Sequence, residues 1–376
     1  MERRTFLTTG LAASALGLTG TALAVPDELL AAPRARRREG PIRLSSNENP
    51  LGISPKARAA IIEGIVDANR YPGGGRERLL EALAQKHGVG TEHIALGAGS
   101  TEVLKMAVDA VAGAGGTVII ADPTYEDTTW YSEMADIQVL TVPLTNDQQH
   151  DVDRMRAVAA RADRPVVVYV CNPNNPTGSL TPSADIDAWI GEAPEDTYFL
   201  VDEAYFDYVD DPRYHSALRW VPDRPNVMVA RTFSKVYGMA GIRLGYMLAH
   251  ADTVERLRRR HVRNNANHFA NVAGLASLED PDFVRRSLET NAASRRTAYR
   301  VLDELSLAYF PTHTNFVMHE IGGEVEPYIR RMRDAGLLVG RPFPPMTTWN
   351  RVSFGLPDEM GRWAEALRGF RQRGWV

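Results

Sequence analysis

Cysteine is nearly absent: Cys171 is the only one among 376 residues, so no intramolecular disulfide is available to staple the fold. No grouping of Cys and His has metal-ligand spacing, and no metal site is expected. Charge of one sign is lacking as well. The formal net charge is −4, with charged residues at 24% and hydrophobic ones at 44%, an ordinary balance for a globular protein. The arginine runs in residues 34–38 and 258–260 are short and carry no interleaved aromatics. They read as a linker and a solvated helix face, so no nucleic-acid partner is expected. No internal repeat occurs, and beyond residue 24 no apolar run is long enough to span a bilayer. A chain of this length buries a large core and is expected to form more than one domain.

What is present begins with a leader. Glu2-Arg3-Arg4-Thr5-Phe6-Leu7 precedes a mildly apolar stretch from Leu7 to Ala24, which closes on the small residues Ala22-Leu23-Ala24. Adjacent arginines followed by Phe-Leu resemble a twin-arginine export signal, a route that carries folded proteins. The expectation is export to the periplasm or the extracellular space, with the twin-arginine translocase as a transient partner. A Sec signal or an uncleaved membrane anchor is the alternative to that route, and a cytoplasmic or membrane-anchored protein the alternative location, but Gly and Thr weaken a membrane-spanning helix here.

From Pro55 onward, helical patterns alternate with short β-rich runs. The runs at residues 118–120, 166–170, 198–201 and 227–230 are apolar throughout, as strands buried on both faces are. Such alternation predicts an α/β fold: a three-layer, mostly parallel sheet between helices. The last hundred residues change character. A long helix (281–306), a strand (315–318), a second helix (324–336), a strand near 352–354 and a final helix predict a smaller α+β domain.

Three segments follow the buried runs directly: Cys171-Asn172-Pro173-Asn174-Asn175-Pro176-Thr177-Gly178, then Val201-Asp202-Glu203-Ala204-Tyr205, then Thr232-Phe233-Ser234-Lys235 with Arg243 eight residues on. Singly, each has a plain reading as a turn, a strand end or a surface charge. Together they fall at the carboxyl ends of strands, where open α/β sheets bind ligands. Leu96-Gly97-Ala98-Gly99-Ser100-Thr101-Glu102 adds a glycine-rich turn running into a helix, which offers free N–H groups to an anion.

In order and spacing these segments resemble the active site of fold type I pyridoxal-phosphate enzymes, and most closely class I/II aminotransferases of the histidinol-phosphate aminotransferase type. The likeness runs from about Pro41 to the C-terminus. It implies pyridoxal 5'-phosphate as cofactor, attached as a Schiff base to Lys235. It implies Asp202 on the pyridine nitrogen, Asn175 and Tyr205 on the phenolic oxygen, and Arg243, Ser234 and Thr232 on the phosphate. Gly99, Ser100 and Thr101 would complete the phosphate cradle, although the family's loop more often ends in Asp-Glu. Tyr125, in Asp122-Pro123-Thr124-Tyr125, would stack on the ring. Tyr71, in Tyr71-Pro72-Gly73-Gly74, would reach the phosphate of a neighbouring subunit, which implies a homodimer.

For substrate the resemblance assigns Arg351, in Asn350-Arg351-Val352-Ser353-Phe354-Gly355, as the clamp on an α-carboxylate. Asn47 belongs to an arm folding over the site, and Arg341 either binds a distal anion or flanks the closing domain. The division expected is 1–24 signal peptide, 25–54 linker and arm, 55–260 large cofactor-binding domain, and 261–376 small domain. The activity implied is transfer of an amino group between an amino acid, or an amine like one, and a 2-oxo acid, with Lys235 as base and Asp202 and Tyr205 as its catalytic partners. Decarboxylation or oxidation on the same fold, or binding without catalysis, are the rival readings. Residues 263–271, Arg263-Asn264-Asn265-Ala266-Asn267-His268-Phe269-Ala270-Asn271, depart from the family's Pro- and Tyr/Phe-containing version, which puts histidinol phosphate itself in doubt. His268 and Asn271 are read as facing substrate or as structural.

Overall fold

The structure is a computed structural model that describes residues 40–113 and 115–376. The leader read in residues 1–24, and the linker up to residue 39, lie outside the described residues.

In chain order, β1 (Ile42–Arg43) leads to α1 (Pro55–Glu63) and α2 (Gly74–His87). Then come β2 (Ile94–Gly97), α3 (Ser100–Val111), β3 (Thr117–Asp122), α4 (Asp127–Met134), β4 (Gln138–Pro143) and α5 (Val152–Ala159). Next are β5 (Val166–Cys171), α6 (Ser183–Glu192), β6 (Thr197–Asp202), β7 (Val227–Thr232), β8 (Gly245–Ala249) and α7 (Ala251–Arg258). The chain closes with α8 (His268–Leu278), α9 (Pro281–Glu304), β9 (Phe316–Glu320), α10 (Val325–Asp334), β10 (Leu337–Leu338), β11 (Trp349–Ser353) and α11 (Pro357–Gln372).

One seven-stranded sheet, in the order β2-β8-β7-β6-β5-β3-β4, forms the centre. Strands β4, β3, β5, β6 and β7 pair in parallel, and only β8 runs against both its neighbours. The apolar runs explain this arrangement. Side chains alternate between the two faces of a strand, so Val166, Val168 and Val170 enter one core and Val167 and Tyr169 the other. Phe199 and Val201 join the first core, while Leu200, Met228 and Ala230 join the second. Both faces are therefore covered by helices, as a parallel sheet requires.

A third core holds Val301, Val317, Met332, Val352, Trp363 and Leu367, and Leu44 from the N-terminal arm joins it. The arm is held there because β1 pairs in parallel with β10. Helix α9 connects the units: Val284 and Leu288 pack on the sheet core, while Ala298 and Leu302 lie in the third. Helix α8 packs with the sheet unit. Its small residues permit close approach, and a Cβ at Gly274 would meet Leu244 at 2.5 Å and Leu79 of α2 at 3.3 Å.

Candidate active site

Strands β5, β6 and β7 end side by side, with Cys171 in register with Asp202 and Asp202 with Ala230. The loops beyond these ends surround an open cavity of about 180 Å³. Asn175, Asp202, Tyr205 and Lys235 line it, as do Ser100, Thr101 and Tyr125. Thr232, Ser234 and Arg243 complete the predicted residues on its wall.

The loop after β5 is fixed by its own side chains. Asn172 Nδ2 donates to the Thr181 carbonyl at 2.8 Å, and Thr181 N–H donates back to Asn172 Oδ1 at 3.0 Å. Asn174 Nδ2 donates to the Pro123 carbonyl at 3.1 Å and its Oδ1 accepts from Thr124 at 2.7 Å. This leaves Asn175 facing the cavity.

Asp202 is 2% exposed. Burial pushes its carboxyl up to about 6, while the Tyr169 hydroxyl (3.0 Å), the Ala204 N–H (3.0 Å) and the charge of Lys235 oppose that rise. A carboxylate so placed is rigid, already holds two donors, and favours a cation opposite it. Lys235 follows β7 in a turn closed by Thr232, whose Oγ1 accepts the Ser234 N–H at 3.1 Å. Its Nζ lies 5.4 Å from the centre of the Tyr205 ring. Burial, assisted by the positive charge of Arg351, lowers the Lys235 amine to about 8. A substantial share of it is therefore neutral and nucleophilic near that pH.

One end of the cavity is built for an anion. Helix α3 begins at Ser100 after Gly99, which gives it no side-chain cap. The N–H groups of its first turn thus have no side-chain cap, at the positive end of the helix dipole. Gly99 is required there: it has φ of +82°, and a Cβ would stand 2.3 Å from Arg243 Nη2. Arg243 itself holds φ of +64°, a costly conformation that aims its guanidinium at Ala98 O (3.4 Å) and Thr101 Oγ1 (3.5 Å). Thr232 and Ser234 add hydroxyls, joined to each other at 3.0 Å.

The other end belongs to the arm and the C-terminal strands. Asn47, at φ of +54°, donates through Nδ2 to the Tyr205 hydroxyl at 2.9 Å and is gripped twice by Ser353 of β11 at 2.8 Å. Arg351, also on β11, is buried and donates to Asn175 Oδ1 at 2.6 Å and to the Ser45 carbonyl at 3.0 Å. Its Nε–H is buried with no partner. A buried guanidinium with a spare donor beside the cavity is suited to a carboxylate. Burial lowers Arg351 to about 10, still charged at neutral pH.

Gly99, Asn47 and Arg351 stand behind this wall, against Arg243, Tyr205 and Asn175 respectively, while Tyr71 and Arg341 stand apart from it. Tyr71 is 88% exposed. Arg341 is half exposed, forms an ion pair with Glu126 and stacks on Phe343 at 4.3 Å. Residues 263–271 serve the phosphate end instead of lining the cavity: Asn265 Nδ2 donates to Leu96 O at 2.8 Å and to Glu102 at 2.9 Å. His268 Nε2 contacts the Gly64 carbonyl at 3.1 Å, and Asn271 donates to Ala266 O at 3.1 Å, so both are structural. Sequence reading missed Cys171, Ala204 and Ala240 on the cavity wall and Tyr169 behind Asp202; the one available signal was a tyrosine interrupting the valines of β5.

The residues present fit pyridoxal phosphate: a buried carboxylate, a lysine and an uncapped helix start with an arginine surround one space, and a guanidinium with an unpartnered N–H is bound to its wall through Asn175. Comparisons with known proteins agree. Residues 39–367 match the family model described as aminotransferase class I and II. The histidinol-phosphate aminotransferase of Moorella thermoacetica is 36% identical over 87% of this chain and 84% of its own length. The aromatic amino acid aminotransferase of Thermobifida fusca is 35% identical over 88% and 90%. A solved structure of histidinol-phosphate aminotransferase from Sinorhizobium meliloti, in complex with pyridoxal-5'-phosphate, superposes with a TM-score of 0.81 at 29% identity, covering 93% of this chain and 96% of that one.

Proposed function

The chain belongs to the class I and II aminotransferases and is a pyridoxal-phosphate-dependent aminotransferase, and from that premise we propose how its residues divide the work. When bound, the cofactor supplies an aldehyde that takes up an amino group and a ring that stores the electrons released at Cα. Lys235 would hold that aldehyde, and its amine, lowered to about 8 by burial, would serve as the general base for the Cα proton. Asp202 holds a proton on the ring nitrogen, and Tyr169 and Ala204 keep its carboxylate in place for this. Asn175 and Tyr205 bind the ring oxygen, with Asn47 orienting Tyr205. Tyr125 covers one face of the ring. Arg243, Ser234, Thr232 and the α3 N-terminus at Gly99, Ser100 and Thr101 bind the phosphate. Arg351 grips the α-carboxylate of donor and acceptor in turn.

The net reaction exchanges groups: an amino acid becomes its 2-oxo acid, and a second 2-oxo acid becomes an amino acid. The observation that carries this reading is the convergence of Lys235, Asp202 and Arg243 on one cavity with Arg351 bound to its wall through Asn175. Lys235→Ala tests it directly: the variant should bind cofactor without turning over any donor, and near-normal turnover would refute the assignment.

Two further proposals concern the whole molecule. The protein acts as a homodimer in which Tyr71 reaches the neighbouring phosphate site; Ile65 (57% exposed), Val66 (81%) and Tyr71 (88%) are large hydrophobic side chains left exposed within seven residues of the chain, which supports a covered face. Residues 1–24 direct export through the twin-arginine translocase. Fractionation of cells with and without that translocase tests this, and full-length protein confined to the cytoplasm in both would overturn it.

A further inference from the structure

The ion pair between Arg341 and Glu126 spans the gap between the two units of the chain at the edge of the site. Glu126 directly follows Tyr125 on the cavity wall and precedes Asp127, which accepts the Tyr125 hydroxyl at 2.6 Å. Arg341 is tied to the carboxylate end. Gly340, its neighbour, donates its N–H to the Arg351 carbonyl at 2.9 Å, and its carbonyl accepts Asn350 Nδ2 at 2.9 Å. The Phe343 ring carries both guanidiniums, with the Arg341 carbon 4.3 Å and the Arg351 carbon 4.6 Å from its centroid. The two cations therefore lie no farther apart than the sum of those distances. Arg341 and Glu126 are also close enough to act electrostatically on Arg351, in opposite directions.

An unpaired Arg341 would be a second anion-binding group within reach of a substrate held at its α-carboxylate by Arg351. Glu126 already fills it with a carboxylate. We propose that Glu126 is a specificity-determining residue: by holding Arg341 it makes the distal end of the substrate site electrically neutral and selects amino donors and 2-oxo acids that lack a distal anion. A substrate carrying a second carboxylate or a phosphate has to displace Glu126, or bind beside it against like-charge repulsion. Specificity here is a difference of affinities set by a repulsive group as much as by an attractive one. This rests on the reading of Arg351 as the carboxylate anchor.

The test uses binding, so it stands apart from turnover. Calorimetry on the cofactor-loaded enzyme compares glutarate, a dicarboxylate, with hydrocinnamate, a monocarboxylate with an apolar tail. In Glu126→Gln, glutarate should bind about tenfold tighter with hydrocinnamate unchanged. Adding Arg341→Ala to that variant should erase the gain, and Glu126→Asp should keep the original ratio. An unmoved glutarate-to-hydrocinnamate ratio in Glu126→Gln would overturn the proposal. So would a gain that survives the loss of Arg341. Were no amino donor to turn over while the ratio still shifted, the transaminase reading would fail and this one would stand.

Discussion

The Tyr169 hydroxyl donates to Asp202 Oδ2 at 3.0 Å, from the strand next to the one that carries the aspartate. Together with the Ala204 N–H it partly offsets the burial that pushes the Asp202 carboxyl from its ordinary 3.8 up to about 6. In the cofactor-free protein the folded state then binds more protons than the unfolded state between those two values. The stability contributed by Asp202 is full below about pH 4 and is lost as pH rises through about 6. The loss is roughly 3 kcal/mol. Denaturant midpoints of cofactor-free wild type and Asp202→Asn across this window should therefore diverge, the variant gaining relative stability as pH rises. Tyr169→Phe removes a donor that favours the charged form, so the divergence should extend to higher pH. A constant gap between wild type and Asp202→Asn from pH 4 to 7 would contradict the assignment.

Much of this site was legible because it hangs on local pattern. The valine run of β5 and the apolar runs of β6 and β7 identify buried parallel strands, and the residues that follow them, Asn175, Asp202 and Lys235, reach the cavity. What was not legible depends on pairing across long separations. Tyr169 meets Asp202 only because β5 and β6 are neighbours in register. The two-residue strand β1 finds β10 almost three hundred positions later, and nothing in Ile42-Arg43 announces it. Residues 263–271 are polar enough to suggest a pocket, but Asn265 spends its amide on Leu96 and Glu102. The small residues Ala270, Ala273 and Gly274 of α8 signal a close contact without saying with which helix. Glu126 and Arg341 are ordinary surface types whose meeting no spacing rule contains.

Gly99 should not tolerate a side chain. Alanine at a φ of +82° is strained, and its Cβ would fall 2.3 Å from Arg243 Nη2, displacing the guanidinium from the anion end. The Gly99→Ala variant should lose about tenfold or more in cofactor affinity while keeping its fold. Fluorescence titration with pyridoxal phosphate checks this, and unchanged affinity would remove Gly99 and Arg243 from the phosphate site.

Lysine should not replace Arg351. Its ammonium cannot grip a carboxylate through two parallel bonds, nor also hold Asn175 and the Ser45 carbonyl. In Arg351→Lys, kcat/KM for α-amino acids should fall about a hundredfold, mostly through KM. A fall in kcat alone would place Arg351 outside carboxylate binding.

Tyr71 is 88% exposed and stands off the cavity wall of its own chain, so its contribution should require a second subunit. Sedimentation should show a dimer, and Tyr71→Phe should weaken cofactor binding without changing that dimer. A monomer of full activity would contradict both the dimer and the role of Tyr71.

Transamination is tested most directly by a single half-reaction. Cofactor-loaded enzyme is mixed with one amino acid donor, without oxygen and without any 2-oxo acid, across a panel that includes histidinol phosphate. The expected result is one equivalent of oxo product per site, conversion of the bound cofactor to its amine form, and full recovery of the starting spectrum on adding a 2-oxo acid. Release of carbon dioxide, or a requirement for oxygen, in place of that stoichiometric and reversible exchange would contradict it.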